Sequence, residues 1–462
     1  MASKAPRQAM PVQDAKRRVC NFDEVALGYD HETALTEASR CLNCKVPKCV
    51  KGCPVGVDIP GFIEALAQDN LPESARRLKV KTSLPAVCGR VCPQENQCEK
   101  ECILSLKGDS VAIGRLERYV ADWEATQESA EVEKAPANGK KIAVIGAGPA
   151  GLSCAGELAL RGYDVTIFEA LHTPGGVLMY GIPEFRLPKA VVKREIDYIR
   201  SLGVKIVENA VIGKLYTVEE LKNEYGFDAF FAGTGAGLPN FMKLPGENLN
   251  GIYSANEFLT RSNHMRAFDF PNNATPLKIG KRVAVIGGGN VAMDAARTAL
   301  RLGAEECFIV YRRSKDELPA RAEELEHAIE EGVQLKLLAS PIAYHGDEES
   351  VVISMTLQMY ELGEADASGR RKPVAIKGKT EYMEIDTVVV AIGQGPNPIF
   401  TESTDGLDVN QWGNIQADEV GKTSLDYVYA GGDAVTGAAT VIKAMGAGKD
   451  AALAMDEYLK TL

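Results

Sequence analysis

No stretch of this 462-residue chain approaches the ~18 consecutive apolar residues needed to cross a bilayer, so no membrane-spanning segment is expected. Aromatic residues are scarce at 6%, and none of the five histidines sits in a motif that suggests acid–base or metal chemistry. Positive charge is also short. The 52 Lys and Arg stand against 63 Asp and Glu, a net charge of -11 that argues against nucleic acid and anionic membrane as partners. The opening residues, MASKAPRQAMPVQDAKRR, are basic but lack the apolar segment of a secretory signal, so a cytoplasmic location is expected. Cysteine is nearly absent after Cys102, where only Cys154 and Cys307 occur; both lie in helix–strand patterns and read as small core residues. With no CxxC or CxxxxC pair in that region, a redox-active disulfide as electron acceptor is excluded there.

What is present is concentrated at the front. Nine of the eleven cysteines fall between Cys20 and Cys102, a crowding that points to metal in a reducing compartment. They form two groups, Cys41-x2-Cys44-x4-Cys49-x3-Cys53-Pro54 and Cys88-x3-Cys92-Pro93-x4-Cys98-x3-Cys102. Zinc ribbons pair two CxxC knuckles, and the second group has none. A Cys followed directly by Pro at the end of a group matches bacterial ferredoxin segments, so [4Fe–4S] clusters are expected, with structural zinc as the alternative. Around the cysteines short helices are expected, one of them starting at Asp58-Ile-Pro60 and burying Phe62, Ile63 and Leu66.

Beyond a polar stretch from Ala125 to Lys140, read as a linker, one pattern occurs twice: an apolar strand, a glycine turn, a helix and a second strand. The first copy, from Lys141 to Ala170, carries Gly146-x-Gly148-x-x-Gly151. Gly146 permits the tight turn, Gly148 lets backbone N–H groups approach a pyrophosphate, and Gly151 allows close packing of helix on strand. Pro149 and Ala150 open the helix, and Glu169 at the end of the second strand can accept from a ribose 2′-OH. The second copy, from Arg282 to Arg313, carries Gly287-x-Gly289-Asn290-Val291-Ala292 and ends on Arg312 and Arg313 where the first has its carboxylate. A guanidinium there grips a 2′-phosphate that a carboxylate would repel, which assigns NADP(H) to this domain and FAD to the first. Arg321 is a further candidate for the phosphate. A third segment, Val428 onward, turns at Gly431-Gly432-Asp433 and enters a small-residue helix near Thr440 and Val441, closing the FAD site. The run Val388-VVAIGQGPNP, with Ala391, Ile392 and Gly393, reads as the strand and turn leading back to the FAD domain.

The fold class expected is therefore α/β: an N-terminal α-helical iron–sulfur domain (1–124), a linker (125–140), and two Rossmann-like domains. The NADP(H) domain (276–392) is inserted in the FAD domain (141–275 and 393–462).

The segments CLNCKVPKCVKGCPV, PAVCGRVCPQENQCEKEC, VAIGRLERY, PGGVLMYGIPEFRLPK and GGGNVAMD, spread along the whole chain, resemble one family. It contains the glutamate synthase small (β) subunit, the large subunit of NADH-dependent reduced ferredoxin:NADP oxidoreductase and the N-terminal half of dihydropyrimidine dehydrogenase. The resemblance implies two [4Fe–4S] clusters with interleaved ligands, one held by Cys41, Cys44, Cys49 and Cys102, the other by Cys53, Cys92, Cys98 and Glu117. Cys88 in place of Glu117 is the alternative for the eighth ligand, and Cys20 is expected to bind no iron. The loop from Pro174 to Lys189 is implied to lie along the flavin through Gly175, Gly176 and Val177, with Ile212 nearby. Arg186 is implied beside the isoalloxazine ring as a fixed cation; ion pairs with Glu184 or Glu195 are the alternative. Hydride transfer between nicotinamide and flavin needs alignment rather than an acid or base, so no proton donor is assigned.

The wording NFDEVALGY (Asn21 to Tyr29) and EFRLPK is more similar to the ferredoxin:NADP oxidoreductase large subunit than to the glutamate synthase β subunit. That implies a smaller FAD and [2Fe–2S] subunit handling NADH, ferredoxin as one-electron partner, and electron bifurcation at the FAD. The other reading implies a glutamate-forming α subunit as partner. A non-catalytic redox scaffold is the remaining alternative; two complete dinucleotide fingerprints argue against it.

Overall fold

The computed structural model describes residues 6–127, 133–366 and 369–462. Among them no helix is long and apolar enough to cross a membrane.

The front of the chain is helical. As expected, Asp58 caps the helix Ile59–Ala67, accepting from the Gly61 N–H, with Pro60 in the first turn; Phe62, Ile63 and Leu66 are fully buried. The helices Pro85–Val91 and Ile113–Glu124 meet almost backbone to backbone: a Cβ on Gly89 would lie 2.6 Å from the Arg118 backbone nitrogen. That approach brings the second cysteine group onto the face of Ile113–Glu124 that carries Glu117.

Two parallel five-stranded sheets follow. The first holds β1 (Lys141–Ile145), β2 (Asp164–Phe168), β3 (Lys205–Val207), β4 (Ala229–Ala232) and β15 (Val428–Ala430), in the order β15-β4-β1-β2-β3. A short antiparallel ribbon of β5 (Ala236–Pro239) and β14 (Gln394–Pro396) carries the chain out and back. The second sheet holds β6 (Ile252–Ser254), β7 (Arg282–Ile286), β8 (Glu306–Tyr311), β9 (Gln334–Leu337) and β13 (Thr387–Val390), in the order β6-β13-β7-β8-β9. An antiparallel meander of β10 (Ala339–Gly346), β11 (Val352–Ala365) and β12 (Arg371–Glu384) extends from it. β1 and β7 are buried apolar runs, as parallel strands covered on both faces require.

The boundary expected at 276 is corrected by this pairing. β6 lies beside β13 in the second sheet, and the helix Ala255–Asn263 packs on Asn290–Arg301, so the insertion begins at the β5–β14 ribbon. A three-residue strand has no periodicity of its own to read; only its partner some 130 residues later identifies it. Of the linker, residues 128–132 lie outside the described residues; from 133 it runs along the first domain, with Ala135 N–H donating to Leu160 and Asn138 N–H to Gly162. Cys154 and Cys307 are fully buried, as small core residues should be.

The long helix Val441–Leu459 lies against Pro149–Leu160 so closely that a Cβ on Gly448 would stand 2.1 Å from the Ala150 carbonyl oxygen. A Cβ on Gly446 would stand 2.9 Å from the Pro54 carbonyl oxygen. The cysteine domain is thus seated directly on the N-terminal half of the helix, the same half that reaches the glycine turns.

Candidate functional site: a two-nucleotide groove backed by cysteines

One continuous groove of about 1,670 Å³ runs between the two sheets. It exceeds the ~300–1,000 Å³ of a single small-molecule pocket and is lined by both glycine turns. On the first side Gly146, Gly148, Pro149, Ala150, Glu169, Gly176, Val177, Arg186, Ile212, Asp433, Thr440 and Val441 face it. On the second side Gly287, Gly289, Asn290, Val291, Arg312, Arg313, Ala391, Ile392 and Gly393 do. Gly151, Gly175, Gly432 and Ala292 shape the turns from behind: a Cβ on Gly151 would collide with the Gly146 carbonyl oxygen at 1.9 Å, and Gly432 has φ +69°.

The geometry suits two dinucleotides. A Cβ on Gly148 or Gly289 would meet nothing within 4 Å, so each glycine leaves room for a pyrophosphate against its backbone. The helices Pro149–Leu160 and Asn290–Arg301 start at these glycines with no side-chain cap, leaving first-turn N–H groups and the positive end of the dipole for an anion. Glu169 is held in place by accepting from the Ala147 N–H (2.7 Å) and the Leu171 N–H (2.9 Å).

The arginines behave differently from one another. Arg312 is exposed in the groove and forms no ion pair among the described residues. Arg313 is buried, donating to the Arg371 carbonyl and to Asp366 at 2.8 Å each, and so braces the loop opposite. Arg370, which sequence reasoning missed, lines the groove from that same meander. Arg321 is placed away from the phosphate end: it donates to the Arg90 carbonyl and Gln94 and pairs with Glu323, joining the second sheet's domain to the cysteine domain.

Arg186 lines the groove but is not a bare cation. Its guanidinium pairs with Asp294 (2.7 Å) and Glu324 (2.8 Å), both from the second domain. Neither alternative carboxylate takes it: Glu184 accepts from the Lys189 N–H, and buried Glu195 from the Ala86 N–H. The pairing continues from Glu324 to Arg297, then to Glu331, and from Glu331 to Arg301 and Arg18. Phe185 lies under Arg301, 3.9 Å from its ring centroid. One buried ionic lattice therefore fixes all three domains around the groove.

Burial alone would raise the Glu331 carboxyl, yet hydrogen bonds from Arg297 and Arg301 hold it down at about 2, against an ordinary 4.5. A carboxylate depressed in the folded state contributes stability that is complete above pH ~4.5 and lost as pH falls toward 2, here on the order of 3 kcal/mol. Glu331→Gln is expected to lower the melting temperature strongly at pH 7, because three buried guanidinium groups lose their partner. The gap from the unsubstituted chain should narrow below pH 4.5; a gap independent of pH across a calorimetric series would refute this assignment.

The cysteines separate in space as two groups. The thiols that act on Cys41 are Cys102 and Cys44, and those that act on Cys49 are Cys102, Cys41 and Cys44. Glu117 acts on Cys53, Cys92 and Cys98, and on Cys88. The Glu117 carboxyl is buried with no hydrogen-bond partner among the described residues, and burial, reinforced by Glu195, pushes it up to about 8. A buried acid in that state, facing thiols, suits a ligand to a cationic group. Cys88 Sγ touches Cys92 within this group and also reaches Met445 Sδ (3.5 Å), with Thr82 Oγ1 at 4.0 Å. Cys20 is exposed, its thiol on the Lys16 carbonyl.

No group of three or more His, Cys, Asp or Glu among the described residues is arranged for a single metal ion. The second group adjoins the groove, because Val91 and Pro93, flanking Cys92, line it; the first group lies farther out, half-buried.

Two fingerprinted nucleotide sites facing one groove, with a cysteine domain behind it, define a flavin- and nicotinamide-dependent reductase. The comparisons agree. Residues 18–129 match the family described as dihydropyrimidine dehydrogenase domain II, 4Fe–4S cluster, and residues 140–448 match pyridine nucleotide-disulphide oxidoreductase. The chain is 36% identical over 460 residues to the glutamate synthase [NADPH] small chain of Halomonas elongata, covering 98% of this chain and 96% of that one. It is 40% identical over 437 residues to the NADP(+)-dependent formate dehydrogenase subunit beta of Moorella thermoacetica, covering 89% of this chain but 60% of that subunit. Mycobacterium tuberculosis FprA in complex with NADPH superposes with TM-score 0.59 at 22% identity, over 70% of this chain and 85% of that one, a likeness of fold. The chain belongs to the pyridine nucleotide-disulphide oxidoreductase family, within its glutamate synthase small-subunit-like branch. It is an NADP-dependent iron–sulfur flavoprotein oxidoreductase.

Proposed function

We propose that the chain moves hydride between NADP(H) and FAD and single electrons between FAD and two [4Fe–4S] clusters, as the large subunit of a bifurcating NADH-dependent reduced ferredoxin:NADP oxidoreductase. What supports this reading is that Val91 and Pro93, flanking Cys92, line the groove, while Cys41, Cys44, Cys49 and Cys102 are half-buried toward solvent. Bound FAD would supply the conversion between two-electron and one-electron chemistry. The protein's own part is positioning. Gly148 and Gly289 admit the pyrophosphates, Glu169 orients a ribose, and Arg312, with Arg370 also lining the groove, selects the 2′-phosphate. The lattice through Arg186 holds the two nucleotide sites in one orientation. Cys41, Cys44, Cys49 and Cys102 would hold the outer cluster; Cys53, Cys92, Cys98 and Glu117 the inner one.

A second reading is supported by the end-to-end match to a glutamate synthase small chain: the same parts would feed a glutamate-forming α subunit. Native isolation of the complex separates the two. A partner smaller than this chain, carrying FAD and [2Fe–2S] and oxidising NADH, supports the first reading. A much larger partner that forms glutamate from glutamine and 2-oxoglutarate replaces it with the second.

A further inference from the structure

The two nucleotide domains also meet at a pair of histidines, a residue type that the sequence places in no motif. His172 follows β2 of the first domain, three residues after Glu169; His264 ends the helix Ala255–Asn263 of the second. Both line the groove, and their Nε2 atoms stand 2.5 Å apart. Buried Asn263 donates to the Tyr180 carbonyl across the same seam at 3.2 Å. The Tyr180 ring centroid lies 4.8 Å from that of His264 and 6.3 Å from that of His172. The end of one helix thus reaches across the groove and grips the other domain twice.

We propose that His172 and His264 are positioning residues that strap the groove shut on the Glu169 side and retain the flavin nucleotide in it, and that a second proton on the pair releases the strap. The inference rests on the assignment of FAD to the first domain. Two imidazole nitrogens this close hold one proton between them, one donating and the other accepting. With one extra proton the pair keeps that hydrogen bond. With two it has two donors, no acceptor and like charges, and the contact opens. Burial, His172 and Lys189 hold the His264 imidazole below its ordinary 6.5, so the closed strap resists the second proton and acid favours the open form. Other charged groups around the pair are Lys189 at the start of the helix Lys189–Ser201, and Glu169 and Glu208, which act on Tyr180. On the His264 side, Arg261 pairs with Glu257 within the helix and Arg266 with Asp269 just beyond it.

The test reads flavin release rather than turnover. The holoprotein is diluted into buffers from about pH 8 to about pH 5, and free flavin is followed by its fluorescence. In the unsubstituted protein, release should be slow and level above about pH 7 and rise about tenfold toward about pH 5. His172→Ala and His264→Ala should each release flavin about five- to tenfold faster near neutral pH with iron content unchanged, and the double variant no faster than either alone. His264→Gln can still hydrogen-bond to His172 but takes up no proton. It should retain flavin near neutral pH and lose the acid rise; a rise that belonged to Glu169 would persist in it and overturn the release by a second proton. Alanine variants that release flavin at the unsubstituted rate, or effects that add in the double variant, would overturn the strap itself. A chain that purifies with its iron but binds no flavin would instead refute the assignment of FAD to the first domain.

Discussion

Replacing Arg312 by Ala is expected to cut kcat/KM for NADPH by about 10–100-fold while leaving NADH-driven dye reduction within about twofold. Of the arginines expected at this strand end, only Arg312 is both exposed in the groove and free of a carboxylate partner among the described residues; Arg313 is already committed to Asp366. A charge-assisted hydrogen bond to a phosphate is worth about 1.5–3 kcal/mol, which sets the range. Arg312→Glu should go further, because it restores the carboxylate that the first fingerprint uses at Glu169 and adds repulsion of the 2′-phosphate. Arg313→Ala should instead lower stability by loosening the meander, with a smaller change in coenzyme preference. Steady-state kinetics with both coenzymes decide the matter: equal losses for NADPH and NADH would show that Arg312 supports the fold and does not read the phosphate.

The second large effect concerns the inner cysteine group. Cys92→Ala is expected to reduce the iron content from about eight to about four per chain, with flavin retained. NADPH-driven reduction of a dye that accepts at the flavin should persist, while reduction of any protein acceptor beyond the clusters should drop more than about 100-fold, since the inner group is the junction with the groove. Glu117→Ala should act in the same direction, because its buried carboxyl has no hydrogen-bond partner among the described residues, whereas Cys88→Ser should keep its iron, its thiol having Cys92, Met445 and Thr82 as partners. Iron loss in Cys88→Ser with full iron in Glu117→Ala would reverse the assignment of the eighth ligand.

These residues were legible in the sequence to very different degrees. Gly148, Gly289 and Glu169 could be read because their roles depend on contacts within one βαβ unit, whose spacing is local. The cysteine groups could be read for the same reason, although their grouping in space had to come from family resemblance, since Cys102 joins Cys41 across some 60 residues. Arg186 lines the groove, but its partners Asp294 and Glu324 could not be read, because an ionic pair between domains leaves no periodic trace in either segment. Arg370 and the short strand β6 escaped for a similar reason: each is defined by a neighbour far along the chain. Arg321 shows the converse error. An arginine shortly after a fingerprint invites a phosphate role, yet its side chain turns toward Gln94 and the Arg90 carbonyl on another domain.

The most direct measurement is an anaerobic titration of the purified chain with NADPH, following flavin absorbance and the EPR spectrum after assay of iron, sulfide and flavin. The account predicts one FAD and about eight irons per chain, bleaching of the flavin by NADPH at far lower concentration than by NADH, and the appearance of reduced-cluster signals as the titration proceeds. A flavin that stays oxidised, or one that bleaches while no cluster signal ever develops, would contradict the path from groove to cysteines on which the account stands.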